Sequence, residues 1–166
     1  MILRRFLHID PVAASYLFGC GGKEVGVVVD PVGEAPEHIC LLVRDRTGGE
    51  EPWLFALTGH TLMVGDLGRT ELATSAEDGA RALFRSVQRL RALPDYLEVL
   101  PDAFSGSVCG RGLSGKPIST IGFEKRYNLA FRIEDENAFV RAVLADIPPP
   151  PPQAAAIRAA NSGRAV

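Results

Sequence analysis

The twenty residues from Trp53 to Leu72 constrain the fold more than any other stretch. They read Trp-Leu-Phe-Ala-Leu-Thr-Gly-His-Thr-Leu-Met-Val-Gly-Asp-Leu-Gly-Arg-Thr-Glu-Leu. Trp53 to Leu57 is a short apolar run of the kind that sits inside a sheet. It breaks at Thr58-Gly59, and His60 stands at the end of the expected strand. A second apolar run, Leu62 to Val64, leads to Gly65-Asp66 and then Gly68-Arg69-Thr70-Glu71. Taken alone, this is most simply a strand, a tight turn and a solvated loop. Yet His and Asp beside glycines at a strand end also suit chemistry, because the sheet fixes the side chain and glycine clears the space beside it.

The other segments build outward from this centre. Ile2 to His8, Ser15 to Phe18 and Gly26 to Val29 are apolar or β-branched, and Gly19-Cys20-Gly21-Gly22-Lys23 supplies hairpin-turn chemistry between the last two. An antiparallel piece of two or three strands is expected there. Ile39 to Val43 is continuously apolar and predicts a strand buried on both faces. Ser75 to Leu93 predicts a helix: Ser75 can cap it, Glu77 and Asp78 lie in the first turn, and Ala80, Leu83, Phe84, Val87 and Leu90 share one face. Pro94 ends it, and Arg81, Arg85, Arg89 and Arg91 read as its solvated side. Tyr96 to Leu100 predicts a strand, Phe104 to Lys116 a Gly/Ser-rich loop, and Glu134 to Ile147 a second helix. Pro148 to Pro152 stops that helix and favours an extended polyproline segment, followed by an alanine-rich tail, Gln153 to Val166. The expected organisation is therefore one domain over residues 1–147, with residues 148–166 as a proline-rich segment and flexible tail.

Composition limits what such a chain can do. With 166 residues, 46% hydrophobic and 23% charged, it has the make-up of a water-soluble domain. A net charge of −2 and the absence of a long apolar run point away from nucleic acid and from the membrane. The N-terminus has no signal-peptide core, and the three cysteines, Cys20, Cys40 and Cys109, share no Cys-x-x-Cys spacing, which fits a reduced, cytoplasmic setting. Cys109, in the glycine-rich loop, is a candidate reactive thiol. The only histidines, His8, His38 and His60, lie far apart, so no metal site can be built on a His-x-His pair.

Several segments in order resemble one family. Tyr16-Leu17-Phe18-Gly19, Val29-Asp30-Pro31, Thr58 to Leu62, Gly65 to Leu72, Ser114-Gly115-Lys116-Pro117 and Ser119 to Arg126 are similar to metallo-β-lactamase-fold proteins. The nearest branch is that of the persulfide dioxygenases, with hydroxyacylglutathione hydrolases (glyoxalase II) as cousins. The resemblance implies an α+β fold, a partial αββα sandwich lacking part of its N-terminal half. It places the family's iron or zinc at the sheet edges, held by a His-x-His-x-Asp-His loop, a Pro-Gly-His, a Thr-Gly-Asp and a final Pro-Gly-His. This chain departs from each. The first loop is absent, as if a block were deleted near residues 32–36, and Glu34 stands where a ligand His is expected. His60 takes the Asp position, and Ala103 takes that of the final His. His60, Asp66 and His38 remain as candidate metal residues, too few for a fixed site. The expectation is thus a degenerate relative with no catalytic metal and no catalytic residue. It would retain binding of a small thiol such as glutathione persulfide, or of a partner, with Lys125 and Arg126 as candidate ligand-binding cations. The alternatives are a residual metal-dependent hydrolase or sulfur dioxygenase using His60 and Asp66 with a borrowed ligand, and a truncated product without function. Lost cover over Ile39–Val43 and Trp53–Leu57 also predicts exposed apolar surface and self-association, and the family's neighbours suggest a rhodanese-type partner.

Overall fold

The computed structural model describes residues 2–9, 12–20, 25–29, 40–44, 53–71, 75–107, 111–145 and 147; within 2–9, 12–20 and 25–29, and at 44, 53 and 54, it describes the backbone alone. His38, Cys109, the junction at residues 32–36 and the tail from 148 onward lie outside the described residues.

The opening segments form a three-stranded antiparallel meander as expected: β1 (Ile2–Ile9), β2 (Val12–Cys20) and β3 (Val25–Val29), in the order β1-β2-β3. Its register pairs Phe6 with Ser15 and Phe18 with Val27. A second sheet has the order β4-β5-β8-β9, built from β4 (Leu41–Arg44), β5 (Trp53–Gly59), β8 (Glu98–Pro101) and β9 (Ser119–Thr120). Between β5 and β8 come the small hairpin of β6 (Leu62–Met63) and β7 (Asp66–Leu67) and the helix α1 (Ala76–Arg91). That crossover makes β5 and β8 parallel neighbours, whereas β4 and β9 run antiparallel to them. No helix among the described residues is long and apolar enough to cross a membrane.

Helix α1 forms for the reasons legible in its sequence. Ser75 caps it by accepting from Asp78 N at 3.2 Å, and Ala80, Val87 and Leu90 are buried against the sheet. Phe84 meets Phe139 of α3 (Glu136–Leu144) with ring centroids 5.3 Å apart and planes at 57°, a tilted pairing that contributes about 1 kcal/mol beyond area burial. Asp135 caps α3 by accepting from Ala138 N at 2.7 Å. Ala56, Val99, Leu97, Val87, Phe131 and Phe139 are fully enclosed in one cluster between sheet and helices. Burying each such large apolar side chain stabilises the fold by roughly 1.5–3 kcal/mol.

Two expectations need correction. An unbroken apolar run over Ile39–Val43 favours burial on both faces, but among the described residues β4 is an edge strand, and Leu41 and Leu42, which point to opposite faces, are each 37% exposed, in line with the loss of cover expected there. An unbroken apolar run fits a central strand or an edge equally; position in the sheet decides, and sequence does not carry it. Within Trp53–Leu57, by contrast, Phe55, Ala56 and Leu57 do not lie open: they are at most 3% exposed, with Ala56 in the core cluster shared with the helices and β8 paired alongside. The Ser119-to-Arg126 region also holds an unanticipated helix, α2 (Ile121–Tyr127), capped by Thr120, which accepts from Phe123 N at 3.1 Å. A short 3₁₀ turn, η1 (Ala130–Arg132), follows it. Seven residues give too little periodicity to announce a helix, and Glu124, a residue type that usually faces water, is fully buried.

Candidate functional site

The site sits where β5 and β8 end side by side. Their parallel register pairs Leu57 with Leu100 and Gly59 with Pro101, so His60 and Asp102 leave the sheet as immediate neighbours. Gly59 has φ 53°, a left-handed conformation that costs glycine little. Thr61 N donates to Thr58 O at 2.9 Å, closing the turn, and the Thr58 hydroxyl donates to Leu62 O at 2.6 Å. Gly68 passes so close beneath that a Cβ there would lie 2.1 Å from His60 O. His60 is therefore held by main-chain geometry on both sides.

His60 Nδ1 donates to Asp102 Oδ2 at 2.8 Å, and Asp102 N donates to Gly59 O at 3.3 Å. The Asp102 side chain is 7% exposed, and its Oδ1 is buried without a hydrogen-bond partner among the described residues. Ala103, in the expected place of the last histidine, is 1% exposed and brings no donor atom.

Asp66 is occupied elsewhere. Its Oδ1 accepts from Leu67 N at 2.7 Å and lies 3.6 Å from the Arg111 guanidinium. Its Oδ2 accepts from the main-chain N–H groups of Arg111 and Gly112, the latter at 2.8 Å. Arg111 reaches on to Val143 O at 2.8 Å, so Asp66 and Arg111 together pin the glycine-rich loop between the β6–β7 hairpin and α3. Ser114 N adds a bond to Val64 O at 3.0 Å. Behind the hairpin, buried Glu124 accepts from Ser119 Oγ at 2.5 Å, Asn128 Nδ2 at 2.9 Å and Gly65 N at 3.0 Å. Asn128 Nδ2 also donates to Asp66 O at 3.2 Å. Glu124 and Asn128 are the residues that sequence reading missed; the only signal was their place within the matched Ser119-to-Arg126 region and just beyond it.

The candidate cations part company. Lys125 donates to Asp95 Oδ1 at 2.5 Å and to Leu93 O at 3.1 Å, which ties α2 to the end of α1. Arg126 is exposed and forms no ion pair among the described residues. Phe123 and Tyr127 stack beside it with centroids 4.8 Å apart, and Lys116 Nζ stands 5.8 Å over the Phe123 ring.

The crystal structure of a metallo-beta-lactamase from Staphylococcus aureus subsp. aureus COL superposes with a TM-score of 0.84 over 97% of this chain and 72% of that one, at 22% identity. The chain has the metallo-β-lactamase fold. The crystal structure of ETHE1 from Myxococcus xanthus matches with a TM-score of 0.68 over 99% of this chain and all of that one, at 19% identity. No protein-family model and no curated protein matches the sequence. The two sheets with helices packed on the second make a partial αββα sandwich.

This fold implies a metal at the sheet edges, and the described residues standing there do not by themselves make a site for one. Among the described residues no group of three or more His, Cys, Asp or Glu side chains converges. His60 Nδ1 and one Asp102 oxygen are engaged with each other, which by itself does not bar His60 from a metal, and the Asp66 carboxylate is filled by main-chain N–H groups. A fixed zinc or iron centre needs at least three protein ligands with an open position beside them.

Proposed function

We propose that this chain is a metallo-β-lactamase-fold protein that has lost the catalytic metal of its persulfide-dioxygenase-like relatives and acts by binding. Its ligand is a small thiol of the glutathione persulfide type. The observation that carries this reading is that, among the described residues, no three His, Cys, Asp or Glu side chains converge at the sheet edge where His60 and Asp102 stand. Catalysis of the family kind calls for a metal that activates water or oxygen, and such a centre needs at least three protein ligands. Protein purified without added metal is expected to carry well under one zinc or iron per chain by elemental analysis, and to consume no oxygen with glutathione persulfide. About one tightly bound metal per chain, or turnover abolished by His60→Ala, would overturn the proposal.

Binding would centre on the exposed face of α2. Arg126 is an exposed cation there with no ion pair among the described residues, whereas Lys125 is held by Asp95, and a guanidinium suits a carboxylate of the ligand. Titration calorimetry with glutathione should give weak binding that Arg126→Ala reduces about tenfold, a loss of about 1.4 kcal/mol. Lys125→Ala should instead lower stability. Affinity unchanged in Arg126→Ala would remove Arg126 from the site.

A further inference from the structure

We infer that the His60–Asp102 contact is itself the tie that closes the carboxyl ends of β5 and β8, in place of the metal that the fold implies there. The inference rests on the metal-free reading of this site. The β5–β8 ladder ends at the Gly59–Pro101 pair, and Asp102 N adds a long bond to Gly59 O at 3.3 Å. Beyond that point the 2.8 Å bond from His60 Nδ1 to Asp102 Oδ2 joins the two chain segments.

The two partners are not equivalent. Asp102 is 5% exposed and one of its oxygens has no hydrogen-bond partner among the described residues, where His60 is the side-chain donor that compensates its carboxylate. Removing His60 leaves a buried carboxylate without that donor, the costly way to break such a pair. Removing the Asp102 charge leaves an imidazole whose side chain is 22% exposed and still reaches water, which costs less. The tie therefore predicts a suppressor relation: loss of the Asp102 charge should rescue loss of His60. A pair of metal ligands would show no such rescue, because removing the second ligand only weakens a metal site further.

The test is thermal unfolding of the full chain, in excess chelator, for His60→Ala, Asp102→Asn and the double variant. His60→Ala should lower Tm by about 6 °C and Asp102→Asn by about 2 °C, and the double variant should unfold above His60→Ala by several degrees. If His60→Ala does not fold at all, a folded double variant is the same rescue. His60→Gln, which keeps a donor, should lose less than His60→Ala. A double variant at or below His60→Ala, with losses that simply add, overturns the tie. The wild-type protein is measured in parallel with zinc or ferrous iron alone. A Tm raised by metal would count against the metal-free reading, whereas absent rescue in chelator counts against the tie.

Discussion

Glu124→Ala is expected to destabilise the protein by about 4 kcal/mol, the largest loss from any single substitution argued here. Glu124 is fully buried, and three donors converge on it: the Gly65 main chain, the Asn128 amide and the Ser119 hydroxyl. Hydrogen bonds to a charged acceptor contribute roughly 1.5–3 kcal/mol each, and truncation adds a cavity where the side chain lay. Ser119 and Asn128 recover part of this, since Ser119 Oγ also lies 3.5 Å from Thr120 O and Asn128 keeps its bond to Asp66 O. Gly65 N has no second acceptor among the described residues, so the β6–β7 turn should loosen, and with it the loop pinned through Asp66. Glu124→Gln preserves shape and one oxygen but turns an amide N–H₂ toward a donor, for an expected loss of about 2 kcal/mol. Urea unfolding checks both values through the midpoint at constant slope. A Glu124→Ala midpoint equivalent to less than 1 kcal/mol would show that the network is dispensable.

Gly79→Ala sets helix propensity against packing, and packing should win by about 2 kcal/mol. Alanine in the interior of α1 would gain about 1 kcal/mol over glycine on propensity alone. At Gly79, however, a Cβ would stand 1.9 Å from Thr70 O and 2.8 Å from Thr70 C, both main-chain atoms of the segment that leads out of β7. Neither helix nor segment can yield without disturbing its own packing, and overpacking of this kind costs typically 1–3 kcal/mol or more. Gly112→Ala is the control, because nothing lies within 4 Å of a Cβ there, and its effect should stay within about 0.5 kcal/mol. Denaturant midpoints for the two variants decide the matter. A Gly79→Ala protein as stable as wild type would mean that α1 sits farther from Thr70 than the structure places it.

The sequence alone was enough to show why α1 begins at Ser75, why β5 breaks at Gly59, and that the family's histidine loop is missing. Those features are local: a cap residue, a glycine that interrupts an apolar run and a count of three histidines. The resemblance it carried also led to the right fold, since motif order survives where pairwise identity has dropped to about one residue in five. What only the tertiary structure decided is the pairing of residues far apart in the chain. Asp66 read as a metal candidate because a carboxylate beside glycine is chemically ambiguous, and the N–H groups that fill it come from Arg111 and Gly112, some 45 positions later. Lys125 reads as a candidate ligand-binding cation, and nothing near it in the sequence announces that it donates to Asp95, 30 positions earlier. His60 and Asp102 are separated by a whole strand–helix–strand unit, and nothing local to either marks the other. It is the parallel alignment of β5 and β8, fixed by burial of Ala56 and Val99 in one core, that brings them to 2.8 Å.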